Sequence, residues 1–247
     1  MATRFYQDSY YARQRAGSRA SASVILPIVF DFVKPKTLVD VGCGVGTWLS
    51  VAGDLGVTTL IGFEGAWVKD VTTEPGNLTV NVCELDSYIV LPPDLPARYD
   101  LALCTEVAEH LPEKRSTSLV NDLCALSDVV LFSAAIPGQG GSGHINEQWQ
   151  GYWAEKFRAH EFYPYDVVRP RVWNNATVEP WYRQNMLFYV SKKLASTMKG
   201  LQPSEMLNVM HPELYGWKHP PGIRYLLREL PPAIKRLANR RLGRAAS

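Results

Sequence analysis

Val39-Asp40-Val41-Gly42-Cys43-Gly44-Val45-Gly46-Thr47-Trp48 is the stretch on which the reading of this 247-residue chain turns. Just before the glycines, Leu38 to Val41 is a short apolar run, the pattern of a buried strand. Behind them, Thr47 to Gly53 reads as the start of a helix. Glycines at such a junction let the backbone approach a ligand closely, and the first turn of the helix offers N–H groups with no intrahelical partner. A dinucleotide-binding loop places its glycines as G-x-G-x-x-G, with the pyrophosphate on the helix end. Here the spacing is G-x-G-x-G, and Asp40 precedes Gly42 by two residues. A carboxylate there repels a pyrophosphate and suits a ligand that carries an ammonium group. Eighteen residues after Gly46, the next apolar run ends in Phe63-Glu64, an acid placed to accept hydrogen bonds from a ribose diol. Either feature alone is a tight turn or a surface carboxylate. Together, in register with strands, they point to a nucleoside ligand.

Outward from this loop, strand-like runs recur at Thr58 to Phe63, Leu78 to Val82, Asp100 to Cys104 and Asp128 to Ala134. Helical stretches separate several of them, one starting near Ser116 and one around Tyr152 to Glu161, which implies βαβ crossovers and a parallel sheet. Val167 to Val172 and Met186 to Val190 are expected to close the sheet as an antiparallel hairpin. Ser21 to Val33 reads as a helix capped by the serine and ended at Pro35. The expected fold is therefore α/β, a doubly wound, mainly parallel seven-stranded sheet with a C-terminal antiparallel hairpin and helices on both faces. Three regions are expected: an N-terminal helical lid segment (1–36), a nucleoside-binding core (37–192) and a C-terminal appendage with a basic helical tail (193–247).

The composition narrows the function classes. At 46% hydrophobic the chain can fill a globular core, yet no apolar run approaches the ~20 residues a membrane span needs. The first residues are polar and aromatic, without the apolar centre of a secretory signal. Cys43, Cys83, Cys104 and Cys124 lie far apart, with neither zinc-knuckle nor disulfide spacing, so a reducing cytoplasm is the expected location. Net charge is +2, but seven basic residues and one acid lie from Arg224 onward; removing them leaves 19 basic against 23 acidic residues, net −4. An acidic body argues against a nucleic-acid substrate. Leu226 to Leu242 mixes leucines with arginines, which fits a membrane-surface helix, docking on the acidic body, a subunit contact in a homo-oligomer, or a solvated end.

These motifs resemble the class I S-adenosylmethionine-dependent methyltransferases over about Thr37 to Val190. Asp40, Gly42, Gly44 and Gly46 match the first motif of that family, whose loop cradles the methionine part of the cofactor, and Glu64 matches its ribose-binding acid. Glu84-Leu85 match the acid-plus-apolar pair that flanks the adenine, although the family often has Asp there. Thr105-Glu106-Val107-Ala108-Glu109-His110-Leu111 looks like the EVxEH segment of small-molecule methyltransferases. The resemblance implies S-adenosyl-L-methionine as cofactor, with Thr105 beside it. In the family, the segment before the first strand often lids the cofactor, which puts Tyr11 and Arg19 in reach of its carboxylate.

In a doubly wound sheet, ligands bind beyond the carboxyl ends of the strands. Two clusters lie there: Glu106, Glu109 and His110 after the fourth strand, and Gly138-Gln139-Gly140-Gly141-Ser142-Gly143-His144-Ile145-Asn146-Glu147-Gln148-Trp149 after the fifth. Four glycines within six residues would let the second loop close over a substrate. A hydroxyl acceptor needs a general base, and the ordinary pKa of histidine suits neutral pH. His144 is the first candidate base and His110 the second, with Asn146, Glu147 and Glu106 orienting base or acceptor. His110 also reads as a structural turn residue, and Tyr152-Trp153 as core or as a stacking surface for a sugar ring. The glycine-rich loop with H-x-N-E-Q resembles methyltransferases of glycan and natural-product pathways, which implies a small-molecule acceptor, a sugar hydroxyl among them. No metal-ligand set is evident at ligand spacing. Transfer to nitrogen or a carboxyl group, a non-catalytic cofactor-binding regulator and a nicotinamide oxidoreductase stand as alternatives.

Overall fold

In the computed structural model, residues 2–70, 78–198 and 200–218 are described, with the backbone course alone for 2–14, 70 and 218. Helix α1 (Ala2–Phe30) is longer than the helix expected from Ser21, and Ser21 is not its cap. The hydroxyl of Ser21 donates to Gly17 O at 2.7 Å and accepts from Glu179 N at 3.0 Å, so it ties the middle of the helix to a distant loop. Ala22, Ile25, Leu26 and Val29 recur at helical spacing and are fully buried. Each of the three larger side chains contributes about 1.5–3 kcal/mol by leaving water, enough to hold the helix through Pro27 despite the lost N–H.

The chain then alternates as the glycine pattern suggests. Strand β1 (Thr37–Val41) leads into α2 (Thr47–Asp54), and β2 (Thr59–Glu64) is followed by a 3-10 turn at Ala66–Asp70 and by β3 (Leu78–Val82). Strand β4 (Leu101–Thr105) ends in 3-10 turns at Ala108–His110 and Glu113–Arg115, before α3 (Ser116–Leu126) and β5 (Val129–Ser133). The later elements are α4 (Gln150–Arg158), β6 (Phe162–Tyr165), α5 (Arg169–Val172), α6 (Pro180–Asn185), β7 (Leu187–Ser191) and α7 (Lys192–Ala195).

The seven strands form one sheet in the order β3-β2-β1-β4-β5-β7-β6. The first five pair in parallel and β7 is antiparallel to both its neighbours. Alternate residues of the central strands feed two cores. Leu38, Leu103 and Leu131 face α1 and α2, whereas Val39, Ala102 and Phe132 face α3 and α4. The closing antiparallel pair is present, but not where expected. Val167 to Val172 is no strand: Val168 and Val172 are buried in and beside α5, and the partner of β7 is β6. Pro164 sits inside β6 without penalty because β6 is an edge strand.

Residues 1–211 form one unit and 212–247 a second. The first runs past the boundary at 192 suggested by composition. In the second, helix α8 (Pro212–Lys218) is described, while the basic stretch Leu226 to Leu242 lies outside the described residues. Among the described residues, no helix is long and apolar enough to cross a membrane.

Candidate active site

The strand order reverses between β1 and β4, and the candidate residues collect at the carboxyl ends of β1, β2, β4 and β5, where such a sheet opens a crevice. Gly42, Gly44 and Gly46 all have positive φ, at 79°, 56° and 88°. A Cβ at Gly42 would lie 2.3 Å from Val107 Cγ2, whereas one at Gly44 would meet nothing within 4 Å. The loop therefore packs on one side and leaves room on the other. Its backbone hangs from β2, with Gly42 N 2.8 Å from Phe63 O, and among the described residues no side-chain hydrogen bond caps α2 at Gly46.

Glu64 ends β2. Its carboxylate accepts from Gly44 N and Gly65 N at 2.7 Å each and from Trp67 Nε1 at 3.0 Å. Asp40 is 2% exposed and its Oδ1 has no partner among the described residues. Burial, and then the charge of Glu64, raise its pKa to about 7. A buried acceptor without a partner at the foot of a glycine loop fits the ammonium group of S-adenosylmethionine. Thr105 is buried at the end of β4. After β3, Glu84 is exposed and Leu85 half-buried, its carbonyl accepting from Arg115 Nε at 3.0 Å. Arg19 is held to α2, bonding Ser50 Oγ at 3.2 Å and Asp54 Oδ2 at 2.6 Å. The side chain of Tyr11 lies outside the described residues.

Beyond β4 the backbone turns sharply. Glu106 adopts φ 56°, a left-handed conformation uncommon outside glycine, and its N–H bonds Ser133 O at 2.9 Å. Its carboxylate accepts from Asn185 Nδ2 at 3.2 Å and Gln139 Nε2 at 3.3 Å. Asn185 also donates to Gln139 Oε1 at 2.9 Å, as does Gln184 Nε2 at 3.0 Å. These three amides, from the loop after β5 and the end of α6, have no local signal in the sequence that ties them to Glu106. Glu109 is fully buried, and neither carboxylate oxygen has a hydrogen-bond partner among the described residues. Burial, and then the neighbouring Glu106, push its pKa well above the ordinary carboxylate range.

The glycine-rich loop after β5 is cross-tied at several points. Ile145 N and Asn146 N both donate to Glu109 O, at 2.9 and 3.0 Å. Asn146 Nδ2 reaches Ser116 Oγ at 3.1 Å and Ala108 O at 3.4 Å. Glu147 accepts from Gly138 N at 2.8 Å, Gly140 N at 2.6 Å and His144 Nδ1 at 2.9 Å. Burial works against its charge, but the His144 and glycine hydrogen bonds win and hold the carboxyl below its ordinary pKa. His110 and His144 meet edge to face with ring centroids 4.9 Å apart, and His110 Nδ1 lies 3.3 Å from Gly143 O. Burial, and then His144, lower the pKa of His110. One ligating atom from each of Glu109, His110 and His144 falls within 4.8 Å of the others. Neither the spacing of EVxEH nor that of the later loop reveals this meeting, because the ends of β4 and β5 create it. Trp153 is core, packed on Phe132 at 5.2 Å, while Tyr152 lies half-buried under Lys156.

The fold and the glycine loop, with an acid after β2, define a class I S-adenosylmethionine-dependent methyltransferase. Residues 11–166 match the family described as "Methyltransferase domain", and the chain belongs to that family. Among solved structures, the sugar N-methyltransferase KedS8 of a Streptoalloteichus species is 13% identical. That match covers 75% of this chain and 92% of the other, with a TM-score of 0.52. The plantazolicin methyltransferase BpumL, in complex with S-adenosylhomocysteine, is 13% identical over 76% and 90%, with a TM-score of 0.51. The methyltransferase bound to the Trm112 activator of Haloferax volcanii is 14% identical over 74% and 95%, with a TM-score of 0.51. No curated protein matches the chain by sequence. The protein is thus an S-adenosylmethionine-dependent methyltransferase.

Proposed function

We propose that this enzyme methylates a hydroxyl group of a sugar or natural-product-like small molecule. When bound, S-adenosylmethionine supplies a methyl group already activated by its sulfonium. Asp40, Gly42, Gly44, Gly46, Glu64, Glu84, Leu85 and Thr105 would hold it. What remains for the protein is alignment of the acceptor and removal of its proton. The meeting of Glu109, His110 and His144 beyond β4 and β5 carries the reading. With its Nδ1–H donated to Glu147, His144 presents the Nε2 lone pair to the acceptor hydroxyl. As the acceptor hydroxyl takes up the methyl group that bound S-adenosylmethionine would supply, its proton would pass to Nε2 of His144. Glu147 keeps the ring in that tautomer and steadies the imidazolium, and Asn146 fixes the loop that carries it.

A carboxylate acceptor needs no base, so two imidazoles gathered beside a carboxylate favour a hydroxyl. The polar loop, dense in hydrogen-bonding groups, suits a sugar. The test is transfer of labelled methyl from S-adenosylmethionine to a panel of glycosides and phenolic compounds, with products located by mass spectrometry. O-methylated product is expected. Loss of the base in His144→Ala should lower kcat by about 10²-fold or more while leaving S-adenosylhomocysteine affinity unchanged. Transfer to amines or carboxylates, undiminished in that variant, would replace the reading.

A further inference from the structure

We propose that Glu109, His110 and His144 form a binding site for a divalent transition-metal cation. Their ligating atoms already lie within 4.8 Å of one another. The carboxylate of Glu109 is fully buried, with neither oxygen hydrogen-bonded among the described residues. Burial disfavours the charged form of this carboxyl, and a cation beside it would favour that form and take the place of its proton. The backbone holds the parts together, since Ile145 N and Asn146 N both bond Glu109 O and so fix His144 against Glu109.

Both rings are also oriented for ligation. His144 Nδ1 lies 2.9 Å from Glu147 Oε1, and His110 Nδ1 lies 3.3 Å from Gly143 O. Donation from each Nδ1–H to those acceptors leaves the Nε2 lone pairs for a metal, and a carboxylate or carbonyl partner on the far nitrogen is the common support of metal-binding histidines. Gly141 folds over the His144 ring; a Cβ there would lie 2.3 Å from Nε2 and 2.5 Å from Cε1. Two ligand atoms each about 2.1 Å from a metal lie about 3–3.5 Å apart, a separation that rotation of the exposed His110 ring can reach.

Two imidazoles with one carboxylate suit zinc, cobalt or manganese rather than magnesium or calcium, which prefer oxygen donors. His110 is exposed, so the site opens on one side and leaves positions for other oxygens. In its use, the proposal rests on the hydroxyl reading above: vicinal hydroxyls of a sugar-like acceptor would chelate those positions. His144 would then hold the cation rather than the proton, and the hydroxyl, acidified by the cation that binds it, would release its proton to water.

The experiment is a titration of the chelator-stripped full-length protein with Co²⁺, followed by visible absorption and reversed with Zn²⁺, with S-adenosylhomocysteine binding measured in parallel. One Co²⁺ per chain is expected, displaced by Zn²⁺. Its affinity should fall tenfold or more in His110→Ala, His144→Ala, Glu109→Gln and Gly141→Ala, with S-adenosylhomocysteine affinity within twofold of wild type. Substitution of the exposed His110 spares the core, so that variant keeps the test sound if Glu109→Gln fails to fold. Saturable binding that is absent, equal in wild type and His110→Ala, or marked by thiolate-to-cobalt absorption would overturn the site. Methyl transfer undiminished by chelator, without cobalt binding, would remove the cation and keep the hydroxyl reading. Cobalt binding lost in the variants, with no methyl transfer to any hydroxyl compound, would keep the cation site and remove that reading.

Discussion

At the scale of single residues, Asp40 joins sequence, energetics and function most directly. Its pKa rises from the ordinary 3.8 to about 7 because the carboxyl is buried and faces the charge of Glu64. Between those values the folded protein holds a proton that the unfolded chain has lost. The contribution of Asp40 to stability is therefore intact below about pH 4, declines as pH rises toward 7, and is lost above it. A shift of about three units corresponds to about 4 kcal/mol at most. Chemical denaturation should find Asp40→Asn more stable than wild type at pH 8, and close to it at pH 4. An ammonium ligand reverses the balance, because it favours the charged carboxylate. Calorimetry should therefore show wild-type affinity for S-adenosylhomocysteine rising several-fold from pH 6 to 8, with a flat, weaker profile in Asp40→Asn. Affinity independent of pH in both proteins would separate Asp40 from the cofactor.

At the scale of elements, the glycine loop does two jobs with one backbone shape. Both Gly42 and Gly44 occupy a left-handed conformation, which costs a side-chain-bearing residue roughly 1–2 kcal/mol. They differ in their neighbours, Val107 beside one and open space beside the other. Gly42→Ala should lower the unfolding midpoint markedly, because a methyl group collides with the turn after β4. Gly44→Ala should stay folded, with a loss of about 1–2 kcal/mol, yet bind S-adenosylhomocysteine at least tenfold more weakly. Circular dichroism melts and calorimetry on both variants check the contrast. This loop, Glu64 and the strands around them are legible in the sequence because short buried parallel strands leave apolar runs ending in glycine or acid. The later elements are less so. Val167 to Val172 is rich in valine like a strand, but Pro170 lies in the first turn of a short helix there, and the true strand is disguised by Pro164, which an edge position tolerates. The candidate base and its supports are visible as residue types. The amide web of Gln139, Gln184 and Asn185 on Glu106 is not, because the loop after β5 and α6 bring it from 33 and 79 residues away.

At the scale of the whole molecule, composition places the boundary of the catalytic body at 192, yet segment 201–211 completes that body's polar core. Arg169 is 1% exposed; its guanidinium grips Asp166 and donates from Nη1 to Leu207 O at 2.7 Å. Gln184 is fully buried and accepts from His211 N at 2.8 Å, while Gln150 Nε2 donates to Val209 O at 3.1 Å. Ser204 adds two bonds around the end of β6, donating its N–H to Pro164 O at 2.8 Å and accepting from Asp166 N at 3.0 Å through its hydroxyl. A chain cut after residue 192 would take away the Leu207, Val209 and His211 partners of Arg169, Gln150 and Gln184. The cost is about 1–3 kcal/mol for each hydrogen bond lost from a buried group, although Arg169 keeps Asp166. Several such losses rival the whole stability of a domain. A chain of residues 1–211 keeps every one of these bonds, the glycine loop, Glu64 and the Glu109–His110–His144 cluster. Denaturant unfolding of 1–211 should remain a single transition, with S-adenosylhomocysteine affinity within about threefold of the full chain, about 0.7 kcal/mol. The 1–192 chain should be insoluble or several kcal/mol less stable. If 1–192 instead folds and binds as well as 1–211, segment 201–211 only covers a body that is already complete.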